Sequence, residues 1–394
     1  MKIIGFWKLP ATVAAFCLVL VGCADADNVG DDANVSVRAY QVSAGISHTV
    51  AIGMDGTLWA WGNNENGQLG DDTIISHRSD PVQIGTYDDW AYVSAGGNHT
   101  AAIRTDGTLW AWGLNNDGQL GDGSMGIASY RNAPAQIGTD ANWVTVSAGG
   151  NHTLGIRTDG SLWAWGDNGN GQLGIGAAGG SLPIPMQVQP GTEWASVSAG
   201  RGHAFTLGIQ ADGSLWAWGN NHFGQLGDGT VMQRNAPVRV GTSNDWVSVS
   251  TGCCFTVGIR EGGSLWAWGD NGNGQVGDGT TTIRRIPVQV LVGTTWVSAS
   301  ADLHHTVAIM ENGTLWAWGA NWNGQLGDGT TTDRHAPVRV RTLTDANWAS
   351  ASAGWGHIVI AETDGALWAW GANSQGQLGD GTTIDRHIQV QVTP

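Results

Sequence analysis

The chain has 394 residues, and with 23 Trp but only four Cys it must be held together by aromatic packing rather than by a disulfide framework. Both lysines, Lys2 and Lys8, stand at the N-terminus, so beyond residue 22 the balance is 15 Arg against 33 carboxylates, a formal −18. That charge excludes partners gripped by phosphate neutralisation: no nucleic acid and no anionic membrane surface is expected.

The N-terminus is a separate unit. Lys2 and Lys8 precede or border a short apolar run, Leu9 to Gly22, which is too brief for a membrane span and reads as an export signal over residues 1–22. The run ends Leu20-Val21-Gly22-Cys23, which resembles the lipobox of bacterial lipoproteins. The resemblance implies that Cys23 carries lipid and becomes the new N-terminus. The protein would then sit in a bacterial cell envelope, at the outer membrane or cell surface, held to the membrane through its lipid anchor only. Residues 23–34 follow as the lipidated cysteine and a short acidic tether poor in apolar side chains.

From residue 35 to 394 the chain repeats itself. The pentapeptide Leu-Trp-Ala-Trp-Gly occurs seven times, its first Trp falling at 59, 110, 163, 216, 266, 316 and 368. Seven copies about 50 residues apart define a repeat architecture before any single residue is interpreted. Each repeat holds four strand-like runs and no helical period. In the second copy, His99 to Ile103 and Thr108 to Trp112 are joined by Asp106-Gly107, which predicts a type I′ hairpin. The same dipeptide position recurs as Asp55-Gly56, Asp159-Gly160, Asp212-Gly213, Gly262-Gly263, Asn312-Gly313 and Asp364-Gly365. A third run surrounds Pro-x-x-(Ile/Val), as in Pro81 to Ile84 or Pro237 to Val240. A fourth is Trp-Val-Ser-Val-Ser-Ala-Gly, as in Trp246 to Gly252. Seven four-stranded antiparallel sheets bury their faces by radial stacking, so the expected fold is all-β, a seven-bladed β-propeller. The two Trp of each pentapeptide share one face of a strand, and the expectation is that they wedge against the small Ser-Ala-Gly surface of a neighbouring blade. The run at 35–44 either begins the first blade or completes the last one.

The recurrent Ser-Ala-Gly-x-x-His-Thr followed by Asp-Gly-x-Leu-Trp-Ala-Trp-Gly-x-Asn-x-x-Gly-Gln-Leu-Gly-Asp resembles the repeat of the regulator of chromosome condensation family. The resemblance covers residues 35–394 and implies a seven-bladed propeller that serves as a binding scaffold. In that family a eukaryotic exchange factor for a small GTPase, a plant ultraviolet-B receptor and a secreted bacterial inhibitor of β-lactamases share the fold, and the inhibitor is nearest to this chain in compartment.

Several motifs imitate chemistry. Gly169 to Gly174 and Gly272 to Gly277 match a dinucleotide fingerprint but open no helix, so no cofactor is expected. His48, His99, His152, His203, His305 and His357 are assigned one repeat position, with Phe255 in blade 5. A whole blade separates successive members, so they read as turn hydrogen bonders rather than metal ligands. Asp122, Asp228, Asp278, Asp328 and Asp380 lack the alternating carboxylates of a calcium loop and read as solvated turn residues. No blade carries an acid, base or nucleophile of its own, so an enzyme is not expected. What varies is the pair between Ser-Ala-Gly and His: Ile46-Ser47, Asn98 after Gly97, Asn151 after Gly150, Arg201 before Gly202, Cys253-Cys254, Leu303-His304, and Trp355 before Gly356. These residues are the candidate partner-binding set, with Arg201 and Trp355 as anchors and Cys253–Cys254 as a vicinal disulfide. The expected function is a lipid-anchored scaffold that binds a protein or glycan through this one face. The alternatives are a polysaccharide lyase or hydrolase of the envelope, or a secreted enzyme inhibitor.

Overall fold

A computed structural model describes residues 38–127, 129–342 and 348–393, and Cys23, the signal and the tether lie outside them. All regular elements in the described residues are strands, 28 of them, in seven four-stranded antiparallel sheets. Each sheet takes its strands from one uninterrupted stretch in simple sequence order. Blade 1 comprises β1 (Ala39–Ala44), β2 (His48–Gly53), β3 (Leu58–Asn63) and β4 (His77–Gln83). Blade 7 is equally complete, with its own four strands between Trp348 and Gln391. Of the run at 35–44, the described part Ala39–Ala44 therefore starts blade 1, and among the described residues no sheet is shared between the two ends.

The first strands line the axis, where a seam of hydrogen bonds runs all the way round. Ser43 Oγ accepts the backbone N–H of Ala95 at 3.0 Å, Ser94 that of Ala148, Ser147 that of Ala199, Ser198 that of Thr251, Ser250 that of Ala301 and Ser300 that of Ala353. Ser352 accepts Ala44 N–H at 3.0 Å and closes the circle between blades 7 and 1.

Between blades the pentapeptide acts through both faces. Its Leu and Ala, with Val50, Ile52, Leu69 and Ile84 in blade 1, meet Trp90 and Trp112 of blade 2 in one apolar cluster. The second Trp of each pentapeptide thus docks on the preceding blade's Leu-x-Ala face and its Gln-Leu-Gly turn, not on a Ser-Ala-Gly surface. The turn glycine is required there: a Cβ on Gly70 would stand 2.7 Å from Trp112 Nε1. The indole N–H is also satisfied, with Trp112 Nε1 donating to Gln68 O at 3.0 Å and Trp61 Nε1 to Gln377 O at 2.9 Å. Thr100 Oγ1 donates to the same Gln68 carbonyl at 2.8 Å, so both lone pairs of that oxygen are used by the next blade. The first Trp is half-buried and in blades 1 to 6 donates to the hydroxyl two residues before it, as Trp59 Nε1 does to Thr57 Oγ1 at 2.8 Å; in blade 7, where that residue is Ala366, Trp368 Nε1 donates to Glu362 Oε1 at 2.7 Å. A third Trp opens the first strand of blades 2 to 7 and in blades 2 to 6 meets the second edge-on, at 6.1 Å between ring centroids for Trp90 and Trp112.

Six of the hairpins differ from expectation, while Gly262 and Gly263 of blade 5 are both left-handed, at φ 79° and 77°. A type I′ turn needs positive φ at both central residues, yet of Asp55 and Gly56 only Gly56 is left-handed, at φ 82°. Gly56 N–H donates to Gly53 O and Gly53 N–H to Thr57 O, the three-residue loop that ends in a left-handed glycine. Asp55 supplies the reason: its Oδ1 accepts Thr57 N–H at 3.1 Å and Thr57 Oγ1–H at 2.6 Å, which holds the Asp in an ordinary backbone conformation.

The Asp-Gly loops differ as well. Asp228 Oδ1 accepts from Asn221 and Thr230, and its Oδ2 pairs with Arg234 at 2.7 Å. Asp71, Asp122, Asp278, Asp328 and Asp380 repeat this clamp with Arg78, Arg131, Arg284, Arg334 and Arg386. Instead of being solvated turn residues, these carboxylates are 5–9% exposed and ion-paired. Burial raises their pKa, but the Thr or Ser and Arg hydrogen bonds outweigh it and leave it below the usual range.

Candidate binding face and channel mouth

The turns between first and second strands all emerge at one end of the ring, beside the loops that follow the third strands. Backbone hydrogen bonds tie one turn to the next. Trp355 N–H donates to Gly45 O, Ile46 to Gly96 O, Gly97 to Gly149 O, Gly150 to Gly200 O, His203 to Cys253 O and Cys253 to Leu303 O, at 2.9–3.4 Å. This collar makes the face rigid. Leu303, at its end in blade 6, holds a left-handed φ of 31°, and Asp302 Oδ1 accepts its N–H at 2.6 Å.

Beneath the collar lies the histidine position. His48 Nε2 meets Thr100 Oγ1 at 3.1 Å, His99 meets Thr153 at 2.9 Å, His152 meets Thr206 at 3.2 Å and His357 meets Thr49 at 3.2 Å, each across a blade boundary. Because each threonine hydroxyl donates to a Gln carbonyl, it accepts the imidazole N–H, and the rings are neutral. Burial, with Arg201 and neighbouring imidazoles adding to it, lowers His48, His99 and His357 to about 3; burial and His304 lower His305 to about 3, and burial alone lowers His152 to about 4. The reading of these residues as turn hydrogen bonders holds for four of them. His305 faces Ile358 where the other blades offer Thr, and neither of its ring nitrogens bonds a side chain.

His203 does not belong to this position. Phe205 pairs with Gly219 as His48 pairs with Gly62, so blade 4 carries Phe in the ring, as blade 5 does. Its turn is two residues longer, Arg201-Gly202-His203-Ala204. Thr206 after Phe205 is the signal that could have fixed the register, since Thr follows the ring position in blades 1 to 6.

The longer turn sends Arg201 inward. Its Nη1 donates to Asp302 Oδ2 of blade 6 at 2.5 Å and to Ala353 O of blade 7 at 3.2 Å, so the side chain bridges the axial opening from blade 4. Arg201 is a cross-brace of the channel mouth rather than an exposed anchor. Burial pushes the Asp302 carboxyl above its ordinary range, against the opposing pull of Arg201 and of Leu303 N–H. A recess of about 100 Å³ lies beside it, lined by Asn151, His152, Asp167, Gln172 and Arg201.

The ten candidate residues therefore separate. Trp355 and Asn151 are exposed, while Ile46, Ser47, Asn98, Arg201 and His304 are half-buried. Cys253, Cys254 and Leu303 are buried together, with Phe223 packed over them. The two cysteines are unbridged in the structure, with their sulfurs 2.9 Å apart. Their hydrogen bond lowers the Cys253 thiol and raises that of Cys254, which burial raises further. Sequence reasoning passed over the neighbouring loops. Trp322 is 54% exposed and lies edge-on to His304 at 5.9 Å, and Phe223 stands between His203 and His222 at 5.6 and 5.0 Å. Comparing the letters before Gly-Gln across the seven repeats singles out His222-Phe223 and Trp322 where the other blades have small or polar residues. On the opposite side of the face, the Asp117 carboxyl is raised by burial and by Asp167.

Comparison with known proteins bears on this geometry. The sequence matches the RCC1-like domain over residues 21–253 and, in an overlapping placement, over 91–394. The chain belongs to the RCC1-like domain family. This RCC1-like chain is 33% identical over 213 residues to Ultraviolet-B receptor UVR8 of Arabidopsis thaliana, covering 52% of the chain and 46% of that protein. It is 31% identical over 202 residues to Probable E3 ubiquitin-protein ligase HERC6 of Homo sapiens, covering 50% of the chain and 19% of that protein. The chain thus spans about half the length of these curated relatives or less. Among solved structures, human WBSCR16 superposes with a TM-score of 0.78 at 20% identity, covering 86% of this chain and 94% of its own. Prp20p from Saccharomyces cerevisiae superposes at 0.75 and 18%, covering 87% of each. At such identities the likeness is one of fold.

Proposed function

We propose that this RCC1-like propeller is a non-catalytic scaffold that binds a protein partner through the collar face, exported and held at the envelope by lipid on Cys23. The observation that carries the binding reading is the run of apolar surface over blades 6, 7 and 1. Trp322 and Trp355 are 54% and 44% exposed on a rigid frame, and Ile46 adjoins Trp355 through the Trp355 N–H to Gly45 O bond. Exposed Trp on a preformed surface supplies contact area at little entropic cost. Prp20p, which shares the fold, binds Gsp1p and histones, and this supports a protein rather than a glycan partner. Anchoring rests on the Leu20-to-Cys23 motif alone.

Two measurements test the reading. Full-length protein should retain a partner from envelope extract that Trp355→Ala and Trp322→Ala both lose and Val292→Ala, on the opposite face, keeps. Equal retention by all four proteins would assign the wrong face, and a retained glycan would replace the partner class. Intact-mass spectrometry should find a lipid-modified chain beginning at Cys23; an unmodified chain beginning elsewhere removes the anchor.

A further inference from the structure

Two departures from the repeat meet at one place. Blade 4 alone lengthens its turn by two residues, and blade 5 alone among the described residues carries cysteines. His203 of the first and Cys253 and Cys254 of the second bring an imidazole nitrogen and two sulfurs within 4.8 Å of one another. The backbone fixes this meeting: His203 N–H donates to Cys253 O at 3.0 Å, and a Cβ on Gly202 would collide with Cys253 Sγ. Adjacent residues in a strand point to opposite faces. Cys253 and Cys254 lie in a turn, so their sulfurs converge to 2.9 Å. Phe223 and Leu303 wall the group on its apolar side, while the His203 side is open to solvent.

We propose that His203, Cys253 and Cys254 form a zinc site that staples the turn of blade 4 to that of blade 5. Two thiolates and one imidazole are the donor types zinc prefers, at about 2.3 Å for sulfur and 2.0–2.1 Å for nitrogen. A tetrahedral ion needs its two sulfurs about 3.8 Å apart, so the thiols part by roughly 0.9 Å on binding, a movement within side-chain torsions. Each thiol gives its proton to solvent, and the resulting dithiolate neutralises the divalent charge, which suits a half-buried position. The fourth position faces solvent and takes water.

The test uses the reduced, metal-free full-length protein and two probes, zinc and cobalt ions. One equivalent of zinc should bind in competition with a chromophoric chelator, and cobalt should give a thiolate-to-metal charge-transfer band. His203→Ala should weaken zinc roughly tenfold or more. Cys253→Ser combined with Cys254→Ser should abolish both signals while the metal-free melt stays close to wild type, since five other blades build this turn without a thiol. Cys23→Ser should bind as wild type does. Absence of the cobalt band in the folded protein, or stoichiometric zinc binding that survives the double serine change, overturns the proposal.

Discussion

Acid should dismantle this propeller through its histidine position. Five imidazoles, His48, His99, His152, His305 and His357, are held neutral with pKa values of about 3 to 4, against 6.5 in the unfolded chain. Below 6.5 the unfolded state takes up protons that the folded state refuses. The contribution of these rings is therefore complete above pH 6.5 and is lost progressively as pH falls to about 3, or to about 4 for His152. Each ring loses about 1.4 kcal/mol per pH unit in that window. At pH 5, about 1.5 units below the unfolded value, the loss is about 2 kcal/mol per ring and about 10 for the five, comparable with the roughly 5–15 kcal/mol of a typical domain. Asp117 and Asp302, raised by burial, act with the opposite sign but are two against five. The decisive variant is His305→Phe. Blades 4 and 5 already hold Phe205 and Phe255 at this position, and the His305 ring makes no hydrogen bond to a side chain that the change would break. Denaturant midpoints measured from pH 8 to 5 should show the variant at least as stable as wild type at pH 8. At pH 5 its advantage should grow by about 2 kcal/mol. Parallel pH profiles for the two proteins would refute the argument that His305 is neutral when buried.

Arg201→Ala should destabilise the fold by about 3–5 kcal/mol at neutral pH by leaving Asp302 buried without its partner, and the loss should shrink on acidification as Asp302 takes a proton; a pH-independent loss measured by denaturant unfolding would contradict this. Asp228→Asn should cost about 1–3 kcal/mol through the lost Arg234 pair, and Arg234→Gln should add little to it in a double-mutant cycle. Deleting residues 35–44 removes β1 and with it Ser43 and Ala44 of the axial seam, so the melting temperature should fall sharply, and an unchanged melt would place closure elsewhere.

The blades are legible because repetition filters accident: a pattern found seven times fixes strand number, order and face without reference to tertiary structure. The Asp-Gly turn misleads because the dipeptide suits two hairpins, and the choice rests on Thr57, whose hydroxyl and N–H secure Asp55. His203 falls where a histidine is due in the ring, although a two-residue insertion has moved the frame and Thr206 marks the true register. Arg201 resembles a surface anchor because nothing periodic encodes a side chain that reaches from blade 4 to blades 6 and 7. The buried thiols are likewise hidden, since their environment comes from the loops of Phe223 and Leu303 rather than from neighbours in sequence.

The closure of the ring has a genetic corollary. Since every sheet is drawn from a single uninterrupted stretch and the Ser352–Ala44 joint repeats the six others, a stretch of coding sequence about 50 residues long specifies a whole folding unit with two compatible sides. Unequal crossing-over between such units exchanges entire blades and never leaves half a sheet behind. Changes confined to one blade can then travel between copies, whereas the lengthened turn of blade 4 is tied to its place in the ring, because Arg201 pairs with Asp302 of blade 6.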